Sequence, residues 1–345
     1  MTTSVSLTEA ARLVSTCGKN NTFIFQGEPG IGKSAMLTLL GEQLKMPTRY
    51  FDCALLDLGD LQMPRVSDEA VSFVPNELFL SDEPCIYMFD EIGKAMRPVQ
   101  NALLPAIYEH RLGSYKFPEG SIVFATTNMA SDGVGDSLQA HAKNRATFLT
   151  VRKPTADEWI DWGVANDVDP TVMAWVKEYP HCMATYADDM EAANDNPYIF
   201  NPRKQQAAFV SPRSLHHASH IIKQRHNLND DVLIAALSGT IGESAARDMQ
   251  AFLSVADALP SFNSIVADPE RARVPDSPIA AVILALGAVM RLTAENADAW
   301  MSYLGRLPRE VQFMFAQNAM RSNKAGMLVK ITGFTNWARE NSWAI

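Results

Sequence analysis

One octapeptide limits the folds open to this chain more than any other stretch. Residues 27–34 read GEPGIGKS and fit the pattern G-x-x-x-x-G-K-[ST] at every fixed position. The apolar residues 23–25 precede this stretch and the apolar residues 35–40 follow it. The pattern therefore predicts a strand, a phosphate-binding loop and a helix in that order. The alternative is a chance match in a glycine-rich turn, and the flanking strand and helix argue against it.

The loop residues have separate tasks in binding a nucleotide. Backbone N–H groups of such a loop turn toward phosphate oxygens, and the positive end of the following helix adds to the attraction. Lys33 is expected to reach the β and γ phosphates of ATP, and the Ser34 hydroxyl to ligate Mg2+. The predicted nucleotide-binding residues of the loop are Gly27, Pro29, Gly30, Ile31, Gly32, Lys33, Ser34 and Ala35.

A second signal is the apolar run 85–91, CIYMFDE, which ends in two acidic residues. Ligands of open α/β sheets bind at the carboxyl ends of the strands, where Asp90 is expected to lie. Asp90 is predicted to help bind the nucleotide and, with Ser34, to hold Mg2+, while Glu91 polarises the attacking water. A strand followed by a solvated acidic turn is the alternative, and the phosphate loop favours the functional interpretation.

Short apolar segments separated by helix-sized stretches indicate an α/β fold with a parallel sheet covered on both faces. The predicted strands are residues 22–26, 49–53, 85–89, 121–126 and 146–151. After residue 153 the strand signals stop, and the rest is predicted to be helical except for a long loop over 184–206. The expected domains are an α/β nucleotide-binding domain at 1–153, a helical lid at 154–260 and a C-terminal helical segment at 261–345.

Charge and cysteine content bear on the partners and the compartment. The chain has 30 Lys and Arg against 39 Asp and Glu, and this net charge of -9 argues against a protein that coats duplex DNA. The four cysteines are widely spaced and lack a CxxC pair, which is typical of reduced thiols in the cytoplasm. The chain begins without the basic and apolar blocks of a signal peptide, and its longest apolar run, 279–290, is too short to span a membrane. We therefore expect a cytoplasmic protein with no membrane segment.

Three further polar residues are candidates for the site only because of their positions in the sequence. Asn128 ends the apolar run 123–127, Arg145 comes just before the fifth predicted strand, and Arg213 follows Ser211 and Pro212 at a predicted helix start. In isolation, an Asn after a strand is usually a turn residue and an Arg is usually a solvated charge. Their order relative to the phosphate loop and the acidic pair makes them candidates for the site.

These segments, GEPGIGKS, IYMFDE, ATTN, AKNRA and SPRS, resemble the motifs of the AAA+ ATPases in order and spacing. The resemblance covers residues 7 to about 225 and is closer to the MoxR-type and dynein-related branch, which includes chaperones that work with von Willebrand factor A domain proteins. It implies catalytic roles for Glu91, for Asn128 as sensor 1, for Arg145 as an arginine finger offered to the neighbouring subunit, and for Arg213 as sensor 2.

By the same resemblance, the expected function is Mg2+-dependent ATP hydrolysis by a homo-oligomeric ring, of six subunits in such relatives, that remodels or activates a protein partner. A von Willebrand factor A domain protein is the expected adaptor or client, and nucleic acid is not expected. An AAA+ nucleic-acid motor or helicase loader stays open, although the acidic charge argues against it. A slow nucleotide-dependent switch or scaffold also stays open, and the presence of Glu91, Asn128 and Arg145 argues against that.

Overall fold

A six-stranded parallel sheet organises the first of two compact units, Met1–Lys153 and Pro154–Ile345, in this computed structural model. The structure describes residues 4–129 and 145–341. Within those residues the strands are β1 (Ser4–Val5), β2 (Phe23–Gln26), β3 (Thr48–Asp52), β4 (Gln62–Val66), β5 (Val71–Pro75), β6 (Ile86–Asp90), β7 (Arg111–Leu112), β8 (Tyr115–Lys116), β9 (Ile122–Thr127) and β10 (Thr147–Val151).

The strand order of the sheet is β1-β10-β2-β9-β6-β3, with every pairing parallel. The five predicted strands are all present, each shifted by no more than one residue at either end. Consecutive strands that are not neighbours require crossover connections, and the helices between them supply these. The predicted α/β fold with a parallel sheet is therefore confirmed.

Helices of the first unit cover both faces of this sheet. They are α1 (Leu7–Cys17), α2 (Ala35–Leu44), α3 (Leu58–Leu61) and α4 (Arg97–Glu109). Alternate residues of a strand point to opposite faces, so β6 places Met88 in the core with α1 and α2 and Phe89 in the core with α4. Burial on both faces explains why the strands are almost continuously apolar in sequence.

Two short antiparallel hairpins extend from this layered core. The first pairs β4 with β5 from Gln62↔Pro75 to Val66↔Val71, and the second pairs β7 with β8. The longer hairpin carries large apolar side chains that are between 44% and 77% exposed. Those side chains are Met63, Val66, Val71, Phe73 and Val74.

The second unit is helical in its described residues. Its helices are α5 (Ala156–Ala165), α6 (Pro170–Glu178), α7 (Met190–Asp195), α8 (Pro212–Lys223), α9 (Asp230–Ile241), α10 (Glu243–Asp257), α11 (Phe262–Ala267), α12 (Pro278–Arg291), α13 (Ala297–Leu304), α14 (Arg309–Arg321), α15 (Ala325–Leu328) and α16 (Thr332–Glu340). Among the described residues, none of the helices is both long and apolar enough to span a bilayer.

Two apolar clusters stabilise this unit, one built mainly from residues before 260 and one mainly from residues after 260. Val164, Leu259, Val282 and Met314 pack against both clusters, which joins them. The division of this part into a lid and a C-terminal segment stays a prediction.

The expected long loop over 184–206 is wrong for six of its residues, because α7 forms there. The Asp189 carboxylate accepts hydrogen bonds from the backbone N–H groups of Glu191 and Ala192, both at 3.0 Å. This side-chain cap satisfies N–H groups that have no partner inside the helix, and it allows a short helix to form in a polar segment.

Candidate nucleotide-binding site

The phosphate loop lies between β2 and α2, as its sequence predicts. Gly30 and Gly32 have φ angles of 78° and 103°, a backbone region that side-chain-bearing residues rarely adopt. At Gly27 a Cβ would lie 2.7 Å from the carbonyl oxygen of Val151 and 2.7 Å from Ile31 Cδ1, so only glycine fits. All three glycines of the motif are therefore required by the shape of the loop.

Lys33 is buried, with 7% of its surface exposed, and its ammonium group lies inside the loop. Its Nζ donates to the carbonyl oxygens of Gly27 at 2.7 Å and Glu28 at 2.9 Å. It also donates to Asn128 Oδ1 at 3.2 Å. The structure thus brings Lys33 and Asn128 together, although they are far apart in sequence. A phosphate group in the loop would meet this positive charge directly.

Asp90 ends β6 and lies next to Ser34, also as predicted. Asp90 Oδ2 accepts hydrogen bonds from Ser34 Oγ at 2.6 Å and from the Tyr50 hydroxyl at 3.0 Å. Asp90 Oδ1 accepts from the Thr126 hydroxyl and from the Glu91 N–H at 3.1 Å. The side chain is only 5% exposed, so these four donors replace the water that an ionised carboxylate needs.

Tyr50 is held in its neutral, donating form by this environment. Burial and the neighbouring Asp90 carboxylate raise the pKa of Tyr50 well above its usual range. A neutral phenol can donate one hydrogen bond to the carboxylate while its side chain remains half exposed to water.

The residues present fit a magnesium site. Mg2+ prefers oxygen ligands, keeps several of its waters and takes few protein ligands when it is bound beside nucleotide phosphates. The Ser34 hydroxyl oxygen can ligate the ion directly, and the Asp90 carboxylate, 2.6 Å away, can hold it by accepting hydrogen bonds from its water shell. Among the described residues no group of three or more His, Cys, Asp or Glu side chains forms a separate metal site.

Glu91 has a left-handed backbone, with φ 52°, in the tight turn that follows β6. Its carboxylate forms an ion pair with Lys94, and both side chains are about one third exposed or less. Gln100 Nε2 fixes the turn by donating to the carbonyl oxygens of Ala95 at 2.9 Å and Gly93 at 3.4 Å. The ion pair with Lys94 uses the Oε2 atom of Glu91.

Arg145 lies at the opposite edge of the sheet from the phosphate loop. It precedes β10, whose first residue, Thr147, pairs with Phe23 at the start of β2, whereas the loop follows the end of β2. A strand of five residues such as β10 is about 17 Å long at ~3.3 Å per residue. Arg145 is 65% exposed, 3.9 Å from the Glu109 carboxylate. The structure therefore does not bring Arg145 to the phosphate loop of its own chain.

A cleft of about 500 Å3 lies beside Arg145, at the end of the sheet away from the phosphate loop. Polar and basic residues form part of its wall, including Lys19, Asn20, Tyr108 and His110. Among the described residues, the surface around Arg145 is thus concave and polar.

Arg213 lies in the first turn of α8, in the second unit, with an exposed side chain. Ser211 caps this helix by accepting from the Ser214 N–H at 3.1 Å, and Pro212 occupies the first helical position. The predicted helix start is thus confirmed. The role of Arg213 as sensor 2 stays a prediction.

Two residues that contact Asp90 were not predicted from the sequence. Thr126 is fully buried near the end of β9, and a buried hydroxyl one strand away from an acidic residue is a signal that could have been used. Tyr50 gave no such signal, because its contact depends on the pairing of β3 with β6.

Replacing Thr126 by valine should destabilise the first unit, because the buried Asp90 carboxylate loses a donor. The expected cost is about 1–3 kcal/mol, the penalty for leaving a buried polar group without a partner. Thr127→Val is the matched control, since alternate residues of a strand face opposite sides. The midpoint of thermal unfolding measures the effect, and an equal decrease in both variants would argue against a special contribution from Thr126.

The strand order, the phosphate loop and the acidic residue at the end of β6 define a P-loop nucleoside triphosphatase fold. Within this class, residues 22–140 match the sequence profile of the AAA domain, dynein-related subfamily. The match covers about a third of the chain, including the phosphate loop, Asp90, Glu91 and Asn128. No curated protein matches the sequence.

Two solved structures have low overall similarity to the chain. NtrX from Brucella abortus in complex with ADP has 13% sequence identity and a TM-score of 0.40, over 98% of this chain and 68% of that chain. The RuvB Holliday junction branch migration motor from Thermotoga maritima has 16% identity and a TM-score of 0.38, over 87% of this chain and 86% of that chain.

Proposed function

We propose that this chain is a Mg2+-dependent ATP hydrolase of the AAA+ class. It works as a homo-oligomeric ring, of six subunits by its resemblance to MoxR-type proteins, and couples hydrolysis to the remodelling of a protein partner. The observation that carries the proposal is the shared position of Lys33, Ser34, Asp90 and Asn128 at the carboxyl edge of one sheet. A bare phosphate-binding loop would not need the two acids and the amide beside it.

Each residue has a task in this mechanism. Lys33 binds the β and γ phosphates, exchanging its contacts with the loop carbonyls for contacts with phosphate oxygens. Ser34 and Asp90 would hold Mg2+, which supplies positive charge against the phosphate oxygens when bound. Glu91 leaves Lys94 and orients the attacking water, and Asn128 directs its amide toward the γ phosphate.

The position of Arg145 supports hydrolysis at an interface between subunits. A side chain at the opposite edge of the sheet cannot reach the γ phosphate in its own loop, but it is exposed and can enter the site of a neighbouring copy. A positive charge supplied in this way stabilises the charge that develops on the transferred phosphoryl group.

The hairpin of β4 and β5 supports a role in contacting a protein partner. Its apolar side chains project from both sides of a two-stranded ribbon, and such clustered exposure is typical of protein interaction sites. These exposed groups are aliphatic and aromatic, so the contact with the partner depends on apolar packing rather than on charge. By the MoxR resemblance, a von Willebrand factor A domain protein is the proposed adaptor or client.

Glu91→Gln tests this function. The amide keeps the size of the side chain but cannot act as a base, so ATP should bind normally while turnover falls by about 100-fold or more. Nucleotide affinity is measured by calorimetry and turnover by phosphate release. Undiminished turnover would remove Glu91 from its catalytic role.

The same variant identifies the partner, because it should hold the ATP-bound assembly together. In the presence of ATP, the tagged Glu91→Gln variant should retain a specific partner protein, and this partner should be released when ADP replaces ATP. A matched sample in which Phe73 and Val74 are also changed to Ser should lose that protein if the hairpin makes the contact. Retention of nucleic acid in place of protein would favour the motor interpretation.

A further inference from the structure

The Asp90 carboxylate has no free position for a water molecule of a hydrated metal ion. A carboxylate offers about four lone-pair sites, two on each oxygen. Ser34 and Tyr50 donate to Oδ2, while Thr126 and the Glu91 N–H donate to Oδ1. Binding of Mg2+ through its water shell therefore requires one of these four donors to leave.

Three of the donors are poorly placed to leave. The Glu91 N–H belongs to the backbone of the turn, where Thr126 Oγ1 also accepts from it at 3.3 Å, and the Thr126 hydroxyl is completely buried, so neither can turn into water by rotation of an exposed side chain. The Ser34 hydroxyl can keep its hydrogen bond to Asp90, because its oxygen lone pairs remain free to ligate the ion.

The Tyr50 hydroxyl differs from these three because its side chain is exposed to water. Tyr50 is 51% exposed, and its contact of 3.0 Å is longer than the 2.6 Å contact of Ser34 to the same oxygen. After leaving Asp90, the phenol can find water at little cost. It is the donor that a metal-bound water would displace.

We propose that the Tyr50 hydroxyl occupies the place on Asp90 that a water of hydrated Mg2+ takes, and so lowers the affinity of the nucleotide-bound site for the metal. This inference rests on the proposed function, because it assumes that nucleotide and Mg2+ bind here. Tyr50 acts through Asp90 and does not contact the reacting atoms. It sets the metal concentration at which the site becomes loaded.

Tyr50→Phe tests the proposal, because it removes the hydroxyl and keeps the ring. With ADP bound, the affinity for Mn2+ as a probe of the metal site is measured by electron paramagnetic resonance, and that for Mg2+ by competition. The variant should bind metal about tenfold more tightly, the size of one hydrogen bond to a charged group. ADP affinity in EDTA should stay as in the wild type.

Tyr115→Phe is the matched control, because its hydroxyl also forms a hydrogen bond of 2.9 Å, to the carbonyl oxygen of Ser81, away from the site. Its metal affinity should equal that of the wild type. Unchanged or weaker metal binding by Tyr50→Phe, with ADP still bound, would overturn the inference alone. A weaker value would show that Tyr50 orients Asp90 for the metal. A wild type that fails to bind ADP would overturn the proposed function and this inference with it.

Discussion

Replacing Lys33 by alanine is expected to abolish detectable ATP binding. The ammonium group is buried inside the phosphate loop and is the positive charge that contacts its carbonyl oxygens. Hydrogen bonds to a charged group contribute about 1.5–3 kcal/mol each, so the loss of contacts to two phosphates corresponds to at least about a 100-fold weaker affinity. Isothermal titration of the variant with ATP and with ADP measures this.

Lys116→Ala is the control for the Lys33 variant, since Lys116 is an exposed lysine of β8 in the same unit. Both variants should keep the circular dichroism spectrum of the wild type. Normal ATP affinity in folded Lys33→Ala protein would contradict the assignment of residues 27–34 as the phosphate-binding loop.

Replacing Arg145 by alanine is expected to lower ATP turnover by about 1000-fold while nucleotide binding is retained. The side chain is 65% exposed, so its removal leaves no cavity in the core. Removing the Arg145 guanidinium removes a positive charge that stabilises the transition state. It leaves the phosphate loop, which binds ATP in the ground state, unchanged. Turnover and affinity measured on the same sample separate these two effects.

Mixed assemblies test whether Arg145 acts on a neighbouring subunit. Arg145→Ala and Glu91→Gln should each have low turnover alone, but a mixture contains interfaces that join an intact arginine to an intact site, so turnover should partly recover. A mixture of Arg145→Ala with the Arg145→Ala, Glu91→Gln double variant contains no such interface and should stay inactive. Absence of recovery at every ratio, with mixed assembly shown by crosslinking, would contradict action across an interface.

The sequence alone predicts the site residues that belong to one continuous motif or directly follow a recognisable strand. The glycines of the loop, Lys33 and Ser34 form one continuous motif, and Asp90 follows an apolar strand whose type and end are visible in the sequence. In the structure Ser34 Oγ donates to Asp90 Oδ2 at 2.6 Å. The carboxyl ends of parallel strands meet at one side of the sheet, which explains why residues 56 positions apart in sequence lie together.

Contacts that depend on strand order could not be predicted in this way. Tyr50 reaches Asp90 only because β3 is the neighbour of β6, and the sequence does not specify which strands pair. The hairpin of β4 and β5 was also not predicted, because its strands are exposed and lack the alternation of a half-buried strand. The segment of α7 has the polar composition that is typical of loops, but the Asp189 cap allows a short helix to form there.

Under the proposed function, the residues around Asp90 hydrolyse ATP in an assembled state. The most direct measurement is phosphate release from ATP and Mg2+ by the wild type and by Glu91→Gln, over a range of protein concentrations. We expect release by the wild type, with a rate per subunit that rises with concentration as subunits associate, and release near background by the variant. Equal release by both proteins, or none by the wild type at any concentration, would contradict this expectation.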